Sequence, residues 1–161
     1  MVERWLVGLG ALGVLVFVGG SAVAKERELA RSDTLLLDLR PRDPRSLVQG
    51  DYMGLRYRIS DELESWTSGT VVVDVDEHGV ATVDRLYWGG PLDTNEHLLQ
   101  FHVDTRVSTP VARSFLFEEG RAEAFARARY AIIAVTPEGR ATLVGLADQA
   151  FAPIGPARHL W

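Results

Sequence analysis

The stretch that most limits how this chain can fold is Gly50-Asp51-Tyr52-Met53-Gly54-Leu55-Arg56-Tyr57. It is entered through a proline- and arginine-rich approach, Arg40-Pro41-Arg42-Asp43-Pro44-Arg45. From Asp51 onward apolar and polar residues alternate with the period of a half-buried β-strand. Met53, Leu55, Tyr57 and Ile59 form the core face, while Tyr52, Gly54, Arg56 and Arg58 lie on the other, with the arginines toward solvent. Asp51 falls on the core side at the strand's mouth, directly after the turn residue Gly50. There its carboxylate accepts backbone N–H groups across the turn, or serves as a ligand-binding or catalytic group. Burying it unpaired would be costly.

Elsewhere the pattern is that of many short strands. Residues 34–39 are a short apolar run suited to a strand, and Pro41 and Pro44 then forbid regular pairing. Residues 60–69 read as a polar loop, with Trp66 as a packing or lid residue. Two β-branched runs, 70–76 and 80–88, flank Glu77-His78-Gly79 and predict a hairpin. Residues 97–107 and 112–117 read as further strands, and 130–136 with 140–146 as a last hairpin around Pro137-Glu138-Gly139. The helical periodicity lies after Glu118, where Ala122, Phe125 and Ala126 recur and Glu123 precedes Arg127 by four. The expectation is a mainly β chain: an antiparallel barrel-like or sandwich-like domain with one short α-helix.

Residues 5–24 carry no charged side chain and are long enough to span a bilayer. The expected organisation is therefore a membrane anchor and juxtamembrane stub over 1–33, followed by a β-rich domain over 34–161. Lys25, Arg27 and Arg31 follow the apolar run, so Lys/Arg counting alone favours the opposite of an exported domain. Ala22-Val23-Ala24 also fits a small-x-small cleavage site, which makes a cleaved signal peptide the competing reading. The chain has no cysteine, which excludes a disulfide framework and lipid attachment at that residue.

Several function classes find little support. Gly8-Leu9-Gly10-Ala11-Leu12-Gly13 spells the dinucleotide fingerprint, but no strand can precede it, so no nucleotide is expected. The net charge is −5, which leaves no electrostatic footprint for nucleic acid. His97 and His102 are five apart and face opposite sides of a strand. His78 lies in a turn and His159 near the terminus, so no metal and no cofactor are expected. A serine–lysine protease would need a lysine base, yet Lys25 is the chain's single lysine and flanks the membrane run. Glu118 and Glu119 could converge with Asp51 if their strands are neighbours, as general acid–base chemistry would require. Alternatively they cap a helix or pair with Arg42, Arg45 or Arg121.

Gly50, Asp51, Tyr52, Leu55 and Tyr57 together resemble the signature of the GDYXXLXY family. Residues 43–49, the stretch Phe115 to Ala122 with Glu118, Glu119 and Gly120, the leading apolar segment and residues 139–148 are similar to it as well. The resemblance implies a bacterial single-pass protein of the cytoplasmic membrane with its C-terminal domain extracytoplasmic (periplasmic). It also implies an amino terminus in the cytoplasm, an uncharacterised activity, and encoding often beside multi-spanning membrane proteins. The expected function is a tethered binding or assembly module. Its partners would be the lipid bilayer, through residues 5–24, and an integral membrane protein, met by exposed aromatics such as Trp66, Tyr87, Trp88 or Phe151. The alternatives are a cell-envelope hydrolase using Asp51 with Glu118 or Glu119, and a structural domain without a ligand.

Overall fold

The computed structural model describes residues 16–21, 27, 30–40, 52–64, 66, 68–104, 107–118 and 120–155. The chain divides into two compact units, Met1–Arg31 with Leu160–Trp161, and Ser32–His159. In the first, residues 16–21 are helical (α1) and exposed, and the Ser21 hydroxyl donates to the Phe17 carbonyl at 2.6 Å. The rest of the expected 5–24 span lies outside the described residues. Among those described, no helix is long and apolar enough to cross a membrane.

The second unit is mainly β. Its strands are β1 (Asp33–Asp38), β2 (Tyr52–Gly54), β3 (Ser68–Val75), β4 (Ala81–Leu86), β5 (Glu96–Asp104), β6 (Val107–Thr109), β7 (Ser114–Leu116), β8 (Tyr130–Val135) and β9 (Ala141–Ala147). Two short helices, α2 (Ile59–Leu63) and α3 (Ala122–Phe125), interrupt them. The strands form three antiparallel sheets, ordered β1-β8-β9, β2-β7 and β4-β3-β5-β6. Both expected hairpins are present, as β3–β4 and β8–β9.

Three expectations need correction. No sheet closes into a barrel among the described residues, because the motif strand pairs for only three residues before the chain turns into a helix. A ladder that short cannot carry pairing from one sheet round to the next. The domain also has a second helix where a loop was expected. Ile59 and Leu63 recur at i, i+4, and their one turn buries Ile59, Ser60 and Leu63. The helix expected near Glu118 is only Ala122–Phe125, since Gly120 with φ 81° breaks any helical run before it.

All three sheets share one core. Leu35 and Leu37 enter it from β1, Met53 from β2, Val71 and Val73 from β3, Leu99 and Phe101 from β5, and Ile133 from β8. The expected core face of the motif is buried throughout: Met53, Leu55, Tyr57 and Ile59, whereas Arg56 and Arg58 are exposed. The sheets are stitched by backbone contacts outside their ladders. Leu36 N–H donates to the Gly79 carbonyl at 2.8 Å, and Gln100 N–H to that of Gly139 at 2.7 Å. Gly139 is obligatory there: its φ is 89°, and a Cβ would stand 3.1 Å from the Leu98 backbone.

On the outer face of β4 and β5, Arg85 bridges Asp84 and Glu96, and the Asp93 N–H also donates to Glu96 at 2.9 Å. These donors hold the Glu96 carboxyl at a pKa of about 2, below its ordinary 4.5. A folded value below the unfolded one means that the contribution is present above pH 4.5 and is lost as pH falls through 2. The difference in urea midpoint between the native chain and Arg85→Ala should therefore be constant above that window and shrink as pH is lowered across it. A difference that grows on acidification would refute this assignment.

Candidate functional site

The described part of the motif lies along a seam between sheets. On one side Leu39 bridges Tyr57: Arg40 N–H donates to the Arg56 carbonyl at 2.8 Å, and Arg58 N–H to that of Asp38 at 2.9 Å. On the other, Leu55 N–H donates to the Arg113 carbonyl at 2.7 Å, continuing the β2–β7 register of Tyr52 with Leu116, Met53 with Phe115 and Gly54 with Ser114. The Tyr57 ring is 1 % exposed, and its hydroxyl donates to the Ala112 carbonyl at 2.6 Å. Burial pushes that phenol's pKa well above its usual value, so it stays a donor. Leu55 is likewise a core residue. Of the remaining expected residues, Gly50, Asp51 and Glu119 lie outside the described residues.

Beside this seam a surface cleft of about 160 Å³ opens, floored by Leu55 and Tyr57. Arg40, Arg56 and Arg113 border it together with Ser60, Asp61 and Glu64. Arg40 is ion-paired with Asp61, and Arg113 is also engaged. Among the described residues, Arg56 and Glu64 have no ion pair. The Ser60 hydroxyl oxygen is buried and lacks a hydrogen bond. Behind the seam, Asp38 takes the Arg58 Nε at 2.7 Å and faces Arg129 at 3.5 Å.

Sequence reasoning anticipated Arg56 on the solvent face of the motif but missed Arg40, Ser60, Glu64 and Arg113 as its neighbours. The i, i+4 pair Ile59 and Leu63 was the available signal for the helix that carries Ser60 and Asp61 to the cleft. Arg113 reaches it through strand pairing, for which the local sequence has no signature.

The second expected cluster is mainly aromatic. Phe115 and Phe117 sit 5.2 and 5.0 Å from the Phe125 ring, with the Arg121 guanidinium 5.9 Å above it. The left-handed Gly120 lets the chain double back so that Phe125 meets these rings. Glu118 points outward, its side chain 82 % exposed and 3.8 Å from Arg121. The pairing of β2 with β7 does make the motif strand and the aromatic strand neighbours.

The histidines are separated. His97 lies 3.4 Å from Asp33, His102 is exposed and His78 stacks on Phe151 at 4.8 Å. Among the described residues no group of three or more His, Asp or Glu side chains is placed to hold a metal ion.

A family model described as GDYXXLXY protein matches residues 14–146. Neither a curated protein nor a solved structure matches the chain.

Three substitutions probe these roles. Tyr57→Phe keeps the ring and removes one hydrogen bond, and should cost about 1 kcal/mol. Tyr57→Ala also empties the core beneath the seam, and should cost about 3–5 kcal/mol. Gly120→Ala meets no atom within 4 Å, so its loss is confined to left-handed strain, about 1–2 kcal/mol. Urea unfolding measures all three; equal losses for the two tyrosine variants would contradict a core role for the ring.

Proposed function

Since the chain belongs to the GDYXXLXY family, we propose that it is a membrane-tethered, extracytoplasmic binding or assembly module that accompanies an integral membrane protein in the bacterial cytoplasmic membrane. In this reading residues 5–24 supply the tether, the β-rich domain lies on the periplasmic side, and the module has no catalytic activity of its own.

The observation that carries the reading is the display of Trp88. Its side chain is 89 % exposed, on a loop with Gly89 and Gly90 at positive φ. The loop is clamped at both ends: the Tyr87 hydroxyl donates to the Gly90 carbonyl at 3.1 Å, and the Asp93 N–H donates to Glu96 at 2.9 Å. A large amphipathic ring held out on a restrained loop loses little entropy when a partner covers it, and tryptophan is enriched in binding hot spots. The other contact candidates are taken up within the domain. Trp66 packs on Phe101, the Tyr87 hydroxyl is bonded as above, and Phe151 lies between His78 and Tyr130.

The second reading is a hydrolase using Asp51 with Glu118 or Glu119, which the β2–β7 pairing favours. The outward carboxylate of Glu118 and its ion pair with Arg121 weigh against it.

Cross-linking in native membranes followed by mass spectrometry tests the leading reading. The expected result is a multi-spanning protein captured with the native chain, and a capture reduced about tenfold by Trp88→Ala with the thermal midpoint unchanged. Recovery of the native chain without any multi-spanning companion would defeat the proposal. So would hydrolysis of a cell-envelope substrate that Asp51→Asn abolishes.

A further inference from the structure

We propose that the cleft beside the motif is a binding site for a small zwitterion: one anionic group, carboxylate or phosphate, joined through a short spacer to an ammonium. The inference goes beyond the Trp88 contact and does not depend on it.

The argument begins with which charges are already used. Asp61 neutralises Arg40, and Arg113 is engaged, so neither pair member is the first to greet a ligand. That leaves the guanidinium of Arg56 and the carboxylate of Glu64 at the border of one small cleft, with no ion pair among the described residues. The two differ in sign, which settles the ligand's character. A multiply charged anion would meet Arg56 but also the carboxylates of Asp61 and Glu64. A simple cation would meet three guanidiniums. A molecule carrying both signs satisfies both borders, and a guanidinium's planar fork suits a carboxylate or phosphate in particular.

Ser60 supplies an independent observation. The residue is 7 % exposed, and its hydroxyl oxygen is buried without a hydrogen bond. A buried hydroxyl left unpaired is costly, and in native proteins such groups are rare. Ser60 stands in the wall of the cleft. The floor is fixed, because Leu55 and Tyr57 belong to the core. A ligand therefore meets a preformed surface.

Size limits the ligand further. The cleft's volume of about 160 Å³ is on the scale of a small molecule. That admits an α-amino acid or an ethanolamine phosphate, and does not enclose a nucleotide or a disaccharide. The same chemistry has two sources beside a membrane: a soluble amino acid or peptide end, and the headgroup of an aminophospholipid.

The test uses the full chain in non-ionic maltoside micelles, titrated calorimetrically with alanine and phosphoethanolamine, and with acetate and ethylammonium as half-ligands. At least one zwitterion should bind, with each half-ligand at least about tenfold weaker. Arg56→Gln and Glu64→Gln should each weaken it about tenfold without lowering the thermal midpoint, since both side chains are exposed. Ser60→Ala should weaken it about threefold and leave the fold as stable or more so. Trp88→Ala should leave it unchanged, which separates this site from the partner contact. Nanodiscs of phosphatidylethanolamine should compete with the soluble probe if the source is lipid, and should not if it is soluble; either result supports the site. Absence of zwitterion binding up to about 10 mM, acetate binding as well as alanine, or full affinity in Glu64→Gln would overturn it.

Discussion

The domain depends on a seam in which one short segment serves two sheets. Leu55, Arg56 and Arg58 donate or accept backbone hydrogen bonds with Arg113 on one side and with Asp38 and Arg40 on the other. Tyr57 locks the arrangement, because its ring fills the core and its hydroxyl closes onto Ala112. A buried phenol must find an acceptor, and a backbone carbonyl of a neighbouring segment is one that no side-chain substitution elsewhere removes. The leucine and second tyrosine of the motif thus have a structural explanation that needs no ligand.

That seam also explains why the sheets remain three. A continuous ladder would require the motif strand to pair evenly along its length. Instead the chain leaves β2 after Gly54, touches β1 again through the Leu39–Tyr57 bridge, and turns into α2 at Ile59. The inward period of two nevertheless persists through Met53, Leu55, Tyr57 and Ile59, so one face remains sealed although the strand has ended. Bulges in β4, where Asp84 is the extra residue opposite Val72–Val73, and in β9, where Val144 is the extra residue opposite Ile132–Ile133, add local twist in the sheets on either side. What results is a common core wrapped by short sheets.

Much of this was legible because burial leaves a periodic trace. The hairpins β3–β4 and β8–β9 follow from β-branched runs around Gly79 and Gly139, and the motif's inward face from simple alternation. Two things left weaker traces. Strand neighbours distant in sequence, such as β2 with β7 and β1 with β8, are chosen by the packing of the whole core, so Arg113 could not be assigned to the motif's cleft. One-turn helices such as α2 and α3 rest on tertiary packing more than on propensity, and one was mistaken for a loop while the other was overextended. The carboxylates Asp51 and Glu119 lie outside the described residues, and Glu118 turns out to be a surface group paired with Arg121.

The chain's basic residues are sixteen arginines and one lysine, and the structure gives that preference a use. Arg58 and Arg129 meet on Asp38, Arg85 joins Asp84 to Glu96, and Arg121 leans on both Glu118 and the Phe125 ring. The Asp38 contacts join the end of β1 to the motif segment and to the residue before β8. Exposed ion pairs individually add little stability, so their value lies more in fixing geometry where several meet. Arg56 is arranged differently. It projects from the most constrained segment of the fold, beside a cleft, and among the described residues it has no ion pair. A scaffold that spends Arg40 on Asp61 and engages Arg113 while leaving Arg56 and Glu64 without an ion pair among the described residues has the charges of an ion pair without the pair. Both side chains are exposed, so leaving them unpaired costs the fold little, and it keeps both signs at one cleft for a ligand that bears both.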